Sequence, residues 1–136
     1  MTRIAYFDCF SGCSGDMILG ALLDAGLKLD TLREGLSGLN IGGFQVSAEK
    51  VRRSSIAATK FNVIPSEQAH HRSLADILEI IDSSSLAERV KERSRSIFRK
   101  LGEAEAKVHN ISPEEVHFHE LGAVDTLVDI VGTVLG

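Results

Sequence analysis

Two alternating apolar–polar runs flank a polar corner, and they constrain this chain more than any other feature. In the first, Phe44, Val46 and Ala48 fall on one face and Gln45, Ser47 and Glu49 on the other. The corner is Arg52-Arg53-Ser54-Ser55, and a second alternating run goes from Ile56 to Ile64 before stopping at Pro65. Two period-two runs so close together predict an antiparallel hairpin with one face to cover.

The cover is predicted to be helical. From Asp16 the run Met17-Ile18-Leu19-Gly20-Ala21-Leu22-Leu23 is apolar nearly all round, which predicts a buried helix stopping at Gly26. Asp30 is placed to cap a second short helix that ends near Gly38. Ser73 is placed to cap a third, through Leu74, Ile77, Leu78 and Ile81. A long amphipathic helix follows through Leu86, Val90, Ile97, Phe98, Leu101 and Val108, with its basic residues on a solvated face. Ser112-Pro113-Glu114-Glu115 reads as a capped helix start, and a final apolar helix begins near Ala123. A short strand from Arg3 to Phe7 completes the elements. Together they predict an α/β (α+β) fold: a small mixed three-stranded sheet with an antiparallel hairpin, packed by about five helices.

The 136 residues suit one domain, and the 43% hydrophobic and 25% charged fractions are those of a globular chain. A formal charge of −4 and the absence of Trp argue against a nucleic-acid partner. No apolar run reaches the ~20 residues of a membrane span, and Asp8 interrupts any leader-like start, so a cytoplasmic protein with no membrane partner is expected. Cys9 and Cys13 lack a second pair, which weakens a zinc reading and favours small buried hydrophobes in a reducing compartment.

Four segments carry possible chemistry. Asp8 to Asp16 joins a strand end to a helix start through Ser11, Gly12, Ser14 and Gly15, a loop suited to an anion or phosphate. The alternative is a simple turn in which Asp16 complements the helix dipole. His70 and His71 form an adjacent pair in a polar loop, either solvated or metal-binding. If His117-Phe118-His119 is extended, both imidazoles share one side while Phe118 faces the core, and Glu120 adds a carboxylate. Asp125 and Asp129 share one face of a helix that is otherwise apolar, where a carboxylate needs a donor, a cation or a metal.

These segments together resemble one family, the nickel insertion protein of lactate racemase maturation. The resemblance is carried by Tyr6 to Met17 with Leu19 to Gly26, by His70 to Ile77, and by Val116 to Asp125 continuing through Asp129 to Gly132. It implies an enzyme, a nickel-inserting lyase or cyclometallase. The family places nickel in pyridinium-3,5-bisthiocarboxylic acid mononucleotide, consuming CTP and forming one carbon–nickel and two sulfur–nickel bonds. CTP and its Mn or Mg belong to a C-terminal nucleotide-binding domain of the family. By resemblance, then, residues 1–136 are a single N-terminal domain of a longer protein, and that C-terminal domain is a partner lying outside the sequence. Other implied partners are the pincer-nucleotide precursor, the lactate racemase apoenzyme and a second copy of the chain.

Residue by residue, the resemblance makes Asp8, Asp16, Asp125 and Asp129 catalytic candidates. Ser11, Gly12, Ser14 and Gly15 become candidates for the nucleotide, and His70, His71, His117, His119 and Glu120 for nickel. Two other classes compete: a non-catalytic nickel-delivery module, and a metal-dependent hydrolase built on Asp8, His117 and Asp125.

Overall fold

The computed structural model describes residues 4–66, 72–118 and 124–136. The hairpin is there: strand β1 (Phe44–Arg53) pairs antiparallel with β2 (Ile56–Pro65), setting Val46 opposite Val63 and Ala48 opposite Phe61. Ser54 and Ser55 both take positive φ, 46° and 70°, so the corner is a two-residue turn whose twist matches the strands. The predicted inner face holds, since Val46 and Phe61 are buried.

Five helices occur among the described residues: α1 (Gly15–Asp24), α2 (Leu29–Leu36), α3 (Leu74–Ser83), α4 (Glu88–His109) and α5 (Val124–Leu135). A short 3-10 turn (Pro113–Glu115) carries the capping box predicted from Ser112 and Glu115. Strands β3 (Arg72–Ser73) and β4 (His117–Phe118) make a second small antiparallel ladder. The α/β class and the helix count therefore agree with the sequence reading. No helix of the described residues is long and apolar enough to cross a membrane.

One contiguous core joins these parts. Leu19, Leu32, Leu36, Phe61, Ile77, Ile81, Phe98, Phe118, Leu127 and Val131 are all at most 2% exposed. Helix α5 lies at its centre, against α1, α2, α4 and β2. Helices α1 and α5 ascend together: Gly15 abuts Asp129, Gly132 abuts Leu19 and Gly136 abuts Leu22. On its other side α1 lies so close to β2 that a Cβ at Gly20 would stand 2.2 Å from the Thr59 carbonyl oxygen. Only glycine permits that approach.

Several expectations need correction. Residues 4–9 form no strand, Ile4 and Tyr6 are each 87% exposed, and the sheet is two separate two-stranded ladders. A short apolar run becomes a strand only where a neighbour accepts its backbone hydrogen bonds, and no described strand lies beside it. Helix α1 is not buried all round: Leu19 and Gly20 are inside, while Met17 is 64% exposed. Asp30 lies in the first turn of α2 and pairs with Arg33 at 3.0 Å, while Lys28 takes the cap position. The two cysteines are free and exposed, because the loop that carries them lies outside the core.

Candidate functional site

The first group of candidate residues meets where α1 begins. Ser14 occupies the N-cap position, yet its hydroxyl does not take a backbone N–H. It donates instead to the Asp16 carboxylate, which also accepts the Met17 N–H at 2.9 Å. Asp129, reaching across from α5, sets its carboxylate beside this first turn. Gly15 makes this reach feasible, since a Cβ there would come within 2.4 Å of the Asp129 Cβ. The start of α1 is thus packed against a carboxylate far away in sequence.

Asp129 is half-buried, and its Oδ1 has no hydrogen-bond partner among the described residues. Burial raises its carboxyl from the ordinary value to about 6, helped by the charges of Asp16 and Asp125, while the Asp16 N–H opposes the rise. Asp125 is exposed at the start of α5, where its Oδ1 accepts the Thr126 N–H at 2.8 Å. The structure therefore brings Asp16, Asp125 and Asp129 together.

Other members of the first group sit further out. Asp8 is exposed in the irregular segment that precedes α1. Ser11 and Gly12 are exposed in the turn after it, with Gly12 at φ +82° and open space around its α-carbon. The Met17 N–H is held by Asp16 and the Gly12 N–H by the Cys9 carbonyl, so the exposed Ser11 hydroxyl is the loop's most open donor.

The second group lies at the β3–β4 ladder. Phe118 is 1% exposed and His117 is exposed, the alternation predicted for an extended stretch. The ladder sets Ser73 opposite His117 and Arg72 opposite Phe118. Asp76, at the start of α3, completes a capping box: its Oδ2 accepts the Ser73 N–H at 2.8 Å, and its own N–H reaches Ser73 Oγ at 3.1 Å. The Ser73 N–H, and then the Ser73 hydroxyl, hold the Asp76 carboxyl below the usual range, with smaller help from the charges of His117 and Arg72. The sequence reading passed over Asp76 as a neighbour of His117, although the Ser-x-x-Asp spacing was there to find.

His70, His71, His119 and Glu120 lie outside the described residues. Within the described residues, no three of His, Cys, Asp and Glu are placed to hold a metal ion, so Asp8, His117 and Asp125 do not assemble the hydrolase centre considered above. A groove of about 560 Å³ opens between α2 and the start of β1, but its lining includes none of the candidate residues.

The exposed His117, with further histidines adjoining in sequence, is of the residue type that a cation of borderline softness favours. Comparison with known proteins gives that class a family. Residues 5–136 match the model of the nickel insertion protein family, and the chain belongs to it. The chain is 54% identical over 142 residues to the pyridinium-3,5-bisthiocarboxylic acid mononucleotide nickel insertion protein of Acetivibrio thermocellus, covering 98% of this chain and 35% of that protein. It is 50% identical over 134 residues to the protein of the same name from Desulfitobacterium hafniense, covering 98% and 33%. The chain thus spans about a third of the length of these curated relatives. No solved structure matches it.

Proposed function

We propose that this chain is the N-terminal domain of a CTP-dependent nickel insertase that metallates pyridinium-3,5-bisthiocarboxylic acid mononucleotide. One observation carries the placement of the metal. The β3–β4 ladder pairs Arg72 with Phe118. Arg72 follows His71 in the chain and Phe118 precedes His119, so both histidine-bearing stretches leave from one paired position. In this reading His117, His119 and Glu120, with His70 and His71, receive nickel as cargo. Imidazole and carboxylate hold it less firmly than the sulfur atoms of the pincer ligand, which favours transfer to the ligand.

Metallation at carbon releases a proton. A carboxylate whose pKa is raised to about 6 is matched to accept one near neutral pH, and that role falls to Asp129, with Asp16 and Asp125 setting its charge environment. Asp8 stands at the mouth of the same loop. Ser11 takes the nucleotide phosphate on the loop's open side, with Gly12, Ser14 and Gly15 shaping its base. CTP and its Mn or Mg belong to the remainder of the family's protein, and the finished cofactor goes to the lactate racemase apoenzyme.

Titration of the chain with nickel tests the metal site. His117→Ala with His119→Ala should weaken nickel affinity by about tenfold or more, and unchanged affinity would remove the site. Gly12→Val should weaken binding of the pincer nucleotide, and unimpaired binding would remove the loop from the proposal. A second reading, a nickel-delivery module without chemistry of its own, draws on the one-third coverage of the relatives. Incubating the chain with nickel, CTP and the precursor puts the delivery reading at risk, and Asp129→Asn in the complete enzyme separates the two, since a delivery module would keep its metallation rate. Metallation by the chain alone would exclude the delivery module. Nickel binding without metallation is the expected result, with the chemistry then requiring the remaining two-thirds of the protein.

A further inference from the structure

His117 stands exposed between two buried residues, Val116 and Phe118, so both of its chain neighbours are anchored in the core. Across the ladder its partner is Ser73. The next residue, Leu74, donates its N–H to the Val116 carbonyl at 3.2 Å. A pair flanked by such a bond is of the non-hydrogen-bonded kind, with its backbone N–H groups pointing away from the partner strand. Its two side chains share one face, with their Cβ atoms about 5 Å apart. Ser73 is therefore the nearest cross-strand neighbour of His117, and its outward N–H is the one that Asp76 Oδ2 accepts at 2.8 Å. Asp76 also fixes the serine side chain, since its own N–H donates to Ser73 Oγ at 3.1 Å. Behind this box, Leu74, Ile77 and Ile81 seat α3 in the core. A continuous run of fixed groups thus leads from the core through α3 and Asp76 to Ser73 and the face that carries His117.

Taking His117 as a nickel donor, as proposed above, we infer that Ser73 and Asp76 are positioning residues for the metal, holding His117 in the direction from which it meets nickel. Their part is orientation, and neither is assigned a bond to the ion. Ser73 lies beside His117, while Asp76 holds Ser73 Oγ in place and ties its strand to α3. An exposed side chain on a two-residue strand loses rotamer freedom when it binds, and that loss counts against affinity. A neighbour that already limits its directions lessens the loss. Groups that orient a ligating histidine account for a share of metal affinity of about ten- to a hundredfold.

Calorimetric titration of the chain with nickel is the measurement, and urea midpoints show that each variant is folded. Ser73→Ala and Asp76→Ala should each weaken nickel binding by about tenfold. Ser73→Thr and Asp76→Glu rebuild the box, which accepts threonine and glutamate, and should return affinity to the native value. Ile81→Val trims the buried far end of α3 and lowers stability without touching the box, so its affinity should stay native. Native affinity in either alanine variant would overturn the positioning role, as would failure of both rescues. An equal loss in Ile81→Val would also overturn it, by making the effect one of stability alone. His117→Ala with His119→Ala tells this failure from that of the nickel site. If that variant loses nickel while the alanine variants at Ser73 and Asp76 keep it, only the positioning role falls. If it binds nickel no differently from the native chain, the nickel site falls and the positioning role falls with it.

Discussion

Helices α1 and α3 start from almost the same residues, but their first turns are held in opposite ways. Each has a serine at the N-cap and an aspartate in its first turn. In α3 the two are three apart, and the reciprocal box closes within one turn of chain. In α1 they are two apart, so the Ser14 hydroxyl donates to Asp16, and Asp129 of α5 packs against the first turn at Gly15. One carboxylate is local and solvated, and the other is long-range and half-buried. Their carboxyl pKa values consequently move in opposite directions, Asp76 down and Asp129 up to about 6.

The largest test of this contrast is Gly15→Ala. Elsewhere in a helix that change gains a fraction of a kcal/mol, but here the new Cβ meets Asp129 Cβ at 2.4 Å. A loss of about 2–3 kcal/mol in chemical denaturation is expected, and a neutral result would mean α1 is not held by α5. Asp129→Asn comes next. Asp129 has its pKa raised in the fold, so it favours the folded state when protonated, and that contribution fades as pH rises through about 6. An amide keeps the side chain's shape against Gly15 and removes the charge. At neutral pH it should stabilise the fold by on the order of 1 kcal/mol, discounted for half-exposure, and flatten the pH profile between about 4 and 6. The same variant should lose metallation activity in the complete enzyme if Asp129 takes the proton.

Asp76 has the opposite sign. Its contribution is present above the ordinary carboxyl pKa and is lost as pH falls through its lowered one. Ser73→Ala opens that box and should cost about 1 kcal/mol. Ser14→Ala removes no backbone cap and should cost no more than about 0.5 kcal/mol. Equal losses at the two serines, measured by urea midpoints, would erase the distinction between the caps.

Residues that act on near neighbours were readable from the sequence. Alternation fixed the hairpin face of Val46 and Phe61, Ser73 announced its cap and Ser112 its box, and Phe118 pointed inward as its place between two histidines required. Features that depend on distant chain were not readable. Ile4 to Phe7 has the composition of a strand but no described neighbour to pair with. The contact between Asp129 and α1 needs Gly15, which reads in sequence as one more loop glycine. The cysteines looked like core residues because residue type alone cannot show that their loop is outside. Asp125 and Asp129 were flagged for sitting in an apolar helix, a sound signal, yet their meeting with Asp16 comes only from the packing of α1 on α5.

The parallel course of α1 and α5 has an electrical consequence. Neighbouring helices that run the same way set their positive ends together, and these like ends repel unless negative charge lies between them. Asp16 and Asp125 each supply charge to the first turn of one helix, and Asp129 lies between the two. The carboxylates are therefore as much counter-charge for a pair of stacked dipoles as they are candidate reagents. Any ligand or proton that changes their charge is felt at once by the first helix of the chain and by the last.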